Sequence, residues 1–400
     1  MKHQPPSAKD EDMESRRSGF VTMLLFLAST HFMLHVYTEL LPALLPTLRA
    51  ELGVSLPQAS LLVSIPLLVQ ILVNIPAGVA SDRNAGAVMA VSFLINIVAA
   101  ALIPASREFL MLLAGFSLFA VASTFYHPPG LKAASELNVS RMNLAMGAHI
   151  AAGSTGIAIG PIVLGLLMPL WGWRASFYLW MPPSLVFAVV SYLYMRRRSA
   201  APVDADARTH RDVRSLLTSN FLLILLIGAL AEAAFINFST YITTFFTDVK
   251  GMAPSLASIL FGLGPLAGIV GAFGGGFAGD RFGQERMAIM LTLAIAAALA
   301  LIPLAPGVAS SAAMYIVCRS LIASCIPLLN SMVAFNSDAE RRSLAFSIYF
   351  VVMNIAGAVA TSATSLIVEA RGAAMMFPVS IAIIAPVVAL IALVKRRGTP

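Results

Sequence analysis

Any fold for this chain has to accommodate twelve separate apolar runs of about twenty residues each. They cover approximately residues 19–45, 57–79, 86–104, 108–130, 142–169, 175–195, 219–247, 254–277, 287–305, 309–335, 343–368 and 373–394. As a helix, each run is long enough to cross about 30 Å of hydrocarbon. Only 11% of the 400 residues are charged and 58% are hydrophobic, whereas a soluble domain carries about 25% charged residues. A soluble globule is therefore excluded. Backbone groups inside a bilayer must be satisfied within the chain, so the runs predict an all-α membrane protein with twelve transmembrane helices.

The stretch 1–18 is polar and mixed in charge, with no small-residue cleavage site behind a short apolar core, so it reads as a cytoplasmic tail rather than a signal peptide. Cys318 and Cys325 both fall inside the tenth run and imply no disulfide framework. The net charge of +7 does not call for a nucleic-acid partner, because the basic residues segregate by side. One side holds Arg16, Arg17, Arg83, Lys132, Arg141, Arg196 to Arg198, Arg208, Arg211, Arg214, Arg281, Arg286, Arg341, Arg342 and Lys395 to Arg397, while the loops opposite hold Arg49, Arg107, Arg174, Lys250 and Arg371. By the positive-inside rule, both termini are expected in the cytoplasm of a cell (inner or plasma) membrane protein.

The chain also repeats itself. At an offset of 198, Ala59, Ser60, Ile71, Gly78, Ala80, Asp82 and Arg83 recur as Ala257, Ser258, Ile269, Gly276, Ala278, Asp280 and Arg281. At an offset of 200, Arg141, Leu144 and Ala145 recur as Arg341, Leu344 and Ala345. Matching glycine, aspartate and arginine at the same helix end predicts two pseudo-repeated six-helix bundles, at 19–195 and 219–394. A cytoplasmic linker at 196–218 joins them, and 395–400 forms a short C-terminal tail.

GVASDRNAGAV after the second span and GFAGDRFGQER after the eighth resemble the loop signature of the major facilitator superfamily of secondary transporters. The first copy lacks the basic residue that follows the pattern; the second is the closer match. The likeness runs from Gly19 to Arg397 and includes the turn WGWRASF with Trp173, Arg174 and Phe177. It implies alternating access by rocking of the two bundles in a monomer, with Gly78, Asp82, Arg83, Gly276, Asp280 and Arg281 as a conformational latch. In span 5, Gly147, Gly156, Gly160, Pro161 and Gly165 resemble the superfamily's antiporter-type signature, with Leu164 replacing a glycine, and favour efflux by exchange. FYHPPGLKAASE resembles a segment of the fosmidomycin-resistance-type branch through His127, Pro128 and Gly130. The adjacent prolines Pro128 and Pro129 predict a break at the inner end of span 4.

A charge at the bilayer centre costs at least about 2.5–3.5 kcal/mol, so ionisable residues inside spans mark a pathway. His31, His35, Glu39, His127, His149, Glu232 and Arg319 are such residues. All but His149 fall on spans 1, 4, 7 and 10, which line the central cavity in the superfamily the chain resembles. The four-residue spacing of His31, His35 and Glu39 would align them on one helix face. Glu39 and Glu232 are the expected proton-coupling carboxylates, with His31 and His35 as relays. Arg319, near the midplane, either pairs with Glu232 or binds an anionic group, and His127, Asn237 and Asn330 join it as expected solute contacts. No ATP-binding motif, enzymatic domain, cofactor or metal is expected. The expected function is proton-coupled antiport of a small organic or drug-like solute. The alternatives are proton-coupled uptake of an organic anion and, from another class, an intramembrane metal-binding protein or sensor using His31, His35 and Glu39.

Overall fold

The computed structural model describes residues 8–137, 142–196, 217–337 and 342–394. The start of the N-terminal tail, the linker from 197 to 216, the Arg141/Arg341 pair and the C-terminal tail lie outside the described residues. The first span comprises α1 (Ala8–His35) and α2 (Leu40–Leu52). The rest of the first half is α3 (Leu56–Arg83), α4 (Ala85–Ala105), α5 (Phe109–Glu136), α6 (Met142–Trp171), and a sixth span made of α7 (Ala175–Leu179) and α8 (Met181–Arg196). The second half is α9 (Ser219–Asp248), α10 (Pro254–Phe282), α11 (Gln284–Leu304), α12 (Gly307–Phe335), α13 (Arg342–Arg371) and α14 (Met376–Leu393). Among the described residues there are twelve helical spans long and apolar enough to cross a membrane, and no strand.

The repeat survives in three dimensions: α10 begins 198 residues after α3, and the Asp-Arg pair recurs at the same offset near its end. The reversal after α3 is made by Asn84, whose side chain accepts from the Ala87 amide at 2.9 Å and caps α4. In the second copy Gly283 makes the same reversal at φ +91°, a conformation that glycine adopts without strain. Gly78 and Gly276 do not form these turns. They lie inside α3 and α10, and a Cβ added at either would meet nothing within 4 Å.

The expected continuous face of His31, His35 and Glu39 is not formed, because the first span is interrupted at residues 36–39. Pro42 favours the break: it has no amide to offer the Thr38 carbonyl and its ring crowds that position. The interruption is tied by the Thr38 amide to the His35 carbonyl at 3.2 Å and by the Leu40 amide to the Tyr37 carbonyl at 3.3 Å. Tyr37 anchors it, stacked on Phe119 at 4.6 Å between ring centroids. The repeat-related α9 contains no proline and is continuous from Ser219 to Asp248.

Pro128 and Pro129, by contrast, do not break their helix: α5 continues to Glu136. Side chains support the preceding turns. His127 Nδ1 bonds the Ser123 carbonyl at 2.7 Å, Thr124 Oγ1 the Ala120 carbonyl at 2.9 Å, and Ser92 Oγ from α4 the Ala122 carbonyl at 2.7 Å. Such neighbours are what allow prolines inside membrane helices.

Polar contacts join the two halves toward the face opposite the termini. Thr243 Oγ1 donates to the Pro42 carbonyl (2.6 Å) and Ser258 Oγ to the Ala43 carbonyl (3.0 Å). The Leu56 amide donates to Glu369, and Arg49 pairs with Asp248 at 3.3 Å. The pair is exposed, 22% for Arg49 and 48% for Asp248, and such pairs contribute about 0–1 kcal/mol. Asp248→Asn is therefore expected to shift the open–closed balance of this face by no more than about fivefold, read as the accessibility of a reporter cysteine placed in the neighbouring loop.

Candidate functional site

A cavity of about 470 Å³ lies between the halves. Its walls are mainly apolar and aromatic, with Phe116, Phe119, Phe235 and Ile322 prominent, and are interrupted by Thr38, Gln70, Ser123, Ser239 and Thr240. Glu39, Glu232 and Arg319 all open into it. A mostly apolar cleft with a few convergent polar groups is what a small organic ligand requires.

Each charged group is delivered by a different local device. Glu39 caps the N-terminal end of α2, at the limit of the broken stretch, so the interruption turns its side chain toward the partner half. Glu232 and Arg319 sit within the unbroken helices α9 and α12. Of the two alternatives for Arg319, the direct pair with Glu232 is not formed among the described residues; Arg319 Nη1 donates to Ser239 Oγ at 2.8 Å. Both carboxylates share the cavity with the guanidinium. Among the described residues neither carboxylate has a hydrogen-bond partner. Ser239, absent from the sequence-based site, follows Glu232 by seven residues, two helical turns, and that spacing is the signal for it.

A second cavity of about 210 Å³ shares Glu232, Phe235 and Ile326 with the first. It contains Asn330, Tyr349 and Asn354. Asn330 thus lies on the Arg319 side of α12 as expected, but next to Glu232 and away from the arginine. Asn237 is a correction: it is fully buried and donates to Ser380 Oγ at 2.8 Å on α14. Five residues along a helix turn it about 140° from Glu232, which takes it out of the cavity.

His127 is also displaced from the expected solute contact. It joins His31, His35 and His149 in a cluster beside the cavity, where His31 stacks on His149 at 3.9 Å and 7°. His31 Nε2 and His35 Nε2 are 3.0 Å apart. Glycines of α6 make room for this region of α1. A Cβ on Gly153 would meet the His31 ring at 2.5 Å, one on Gly156 the Phe32 carbonyl oxygen at 2.3 Å, and one on Gly160 the Val36 carbonyl oxygen at 2.0 Å. The other half meets α6 in the same manner: Gly165 faces the Ser255 carbonyl oxygen, and Gly262 of α10 faces that of Ala158.

Comparison with known proteins places this architecture. The family model described as Major Facilitator Superfamily matches residues 21–361. A multidrug resistance protein MdtG of Yersinia enterocolitica is 25% identical over 303 residues, 72% of this chain and 71% of that protein. Another MdtG, of Serratia proteamaculans, is 27% identical over 177 residues, 43% of each chain. A chloramphenicol resistance protein of Streptomyces lividans is 29% identical over 153 residues, 37% of each. The match spans less than half the length of these last two relatives. Among solved structures, a bacterial homologue of the human lysosomal transporter Spinster, in an inward-facing and unoccupied conformation, superposes with a TM-score of 0.74. That likeness of fold covers 95% of this chain and 96% of the other at 14% identity.

Proposed function

The chain belongs to the Major Facilitator Superfamily, and from that membership we propose that it exports a small cationic organic solute in exchange for protons. It is a multi-pass membrane transporter of small solutes, not an enzyme. The observation that carries the proposal is the content of one cavity: two carboxylates, Glu39 and Glu232, and one guanidinium, Arg319. Fully ionised, the trio carries a charge of −1, and a low-dielectric cavity disfavours an uncompensated charge. A single proton, or a single solute cation, neutralises it. Proton and solute therefore compete for the same balance, which is the requirement for exchange. The aromatic walls accept the apolar part of the solute.

Glu232 borders both cavities, so it is the carboxylate through which a proton passes from the site to the narrower space around Asn330. The names of the curated relatives, multidrug and chloramphenicol resistance proteins, agree with export of drug-like solutes. The basic residues gather on the face that carries the termini, so that face is assigned to the cytoplasm. The transporter is proposed to act as a monomer in the cell membrane.

Arg319 favours a second reading, proton-coupled uptake of an organic anion, because among the described residues Ser239 is its single hydrogen-bond partner, which leaves guanidinium donors for an anion. One experiment separates the two. In vesicles containing the purified protein, an imposed pH gradient should drive solute from the alkaline to the acidic compartment for exchange, and from the acidic to the alkaline compartment for cotransport. A small aromatic cation serves as the first probe solute. Movement together with the proton overturns the proposal.

A further inference from the structure

Four of the six histidines of the chain are brought together beside the cavity, and a path for protons does not require so dense a group. One ligand nitrogen from each of His31, His35 and His127 lies within 4.8 Å of the others. The hydrogen bonds fix which nitrogens these are. His31 Nδ1 contacts the His149 carbonyl oxygen at 2.7 Å, and His127 Nδ1 contacts that of Ser123 at 2.7 Å. A carbonyl only accepts, so both Nδ1 atoms carry the proton and both Nε2 atoms present lone pairs. His35 Nδ1 faces Thr38 Oγ1 at 3.0 Å, and its Nε2 faces His31 Nε2 at 3.0 Å. A hydroxyl both donates and accepts, so Thr38 serves either tautomer of His35. Facing the bare Nε2 of His31, His35 Nε2 carries the proton in the observed arrangement, with Thr38 donating to Nδ1. Rotation of the Thr38 hydroxyl lets that proton sit on Nδ1 instead when an ion takes its place, and His35 then presents a bare Nε2 as well.

We propose that His31, His35 and His127 form a three-imidazole site for a borderline divalent transition metal of the zinc class, reached from the central cavity. Neutral imidazoles without a thiolate or carboxylate select such ions over calcium or magnesium. In metal sites, each ligating histidine commonly donates its other ring N–H to an oxygen, which fixes tautomer and ring orientation. All three rings have that oxygen here: the carbonyls of His149 and Ser123 and the hydroxyl of Thr38. Zinc–nitrogen distances of about 2.0–2.1 Å place tetrahedral ligand nitrogens about 3.3 Å apart. The 3.0 Å separation of the His31 and His35 nitrogens is already close to that, and modest side-chain rotation brings in His127. Thr38 and Ser123, which hold two of the ligands, line the cavity and mark the entry side.

The site differs from the set expected from sequence, because the interruption before α2 carries Glu39 away and His127 of α5 takes the third place. A bound ion would staple the end of α1 to α5 immediately before the interruption. The proposal concerns equilibrium binding of an ion and is independent of the direction of transport.

The test uses tag-free, full-length protein in detergent after treatment with chelator. Calorimetric titration with Zn2+ should give one ion per chain, and Co2+ should give the visible absorption of a tetrahedral complex. His35→Ala and His127→Ala should abolish stoichiometric binding, and Thr38→Val, which removes only the oxygen behind His35, should weaken it about tenfold. Zn2+ should also protect the unmutated chain from histidine modification by diethyl pyrocarbonate, a readout that stands if the alanine variants fail to fold. Absence of stoichiometric binding by the unmutated chain, unchanged affinity in folded His35→Ala and His127→Ala, or absence of protection overturns the proposal.

Discussion

Glu39→Gln is expected to give a folded protein in which a pH gradient no longer drives solute accumulation, while exchange of labelled for unlabelled solute continues. Glutamine has the shape of the protonated carboxyl and fixes it in that state. The variant should therefore behave as a carrier that has loaded its proton and cannot release it. Stability should not suffer. Glu39 has no hydrogen-bond partner to lose among the described residues, and removing a charge from membrane depth relieves a cost of about 2.5–3.5 kcal/mol. Proteoliposomes with and without an imposed gradient provide the measurement, and the melting temperature in detergent provides the control. Full gradient-driven flux in the variant would remove Glu39 from coupling and leave Glu232, its neighbour in the cavity, as the carboxylate to examine.

Gly160→Ala should have the largest structural effect of any single methyl group added to the chain's α6. Its Cβ would lie 2.0 Å from the Val36 carbonyl oxygen and 2.9 Å from the Val36 carbonyl carbon, both backbone atoms that cannot rotate away. Helices α1 and α6 would have to separate beside the interruption that places Glu39. Overpacking of this kind costs about 1–3 kcal/mol, so the yield of folded protein and the melting temperature should both fall. Gly147→Ala on the same helix is the control, since a Cβ there meets nothing within 4 Å. Equal stability of the two variants would show that the approach of α1 to α6 is looser than described.

The spans were legible because hydrocarbon thickness sets their length; most observed helices follow the apolar runs closely, while the first span extends past its run at both ends, from Ala8 to Leu52. The repeat was legible because Gly, Asp and Arg recur at one helix end. Inside the site, legibility depended on helix geometry. The family resemblance, which puts spans 1, 7 and 10 around a central cavity, implied a shared cavity for Arg319, Glu232 and Glu39, and all three line one. Asn237 could have been rejected, and Ser239 found, by counting 100° per residue from Glu232. The interruption also had a signal, Pro42, four residues after Thr38. The histidine cluster had none. His31 is about a hundred residues from His127 and His149, which lie on different helices, and the rotation of each helix about its axis decides whether their rings meet.

The way α6 meets its neighbours bears on how fast such a molecule can work. At Gly156 and Gly160 toward α1, and at Gly165 and Gly262 between α6 and α10, the closest approach is glycine to a carbonyl oxygen of the neighbouring helix. Side chains that interlock must each find a new rotamer before two surfaces can part, and every such adjustment adds to the barrier. Smooth surfaces part without that toll. The seam between α6 and α10, which joins the two halves through the close approaches at Gly165 and Gly262, is therefore expected to slide with little resistance. A bulky side chain introduced there would act as a brake on turnover before it acted on affinity.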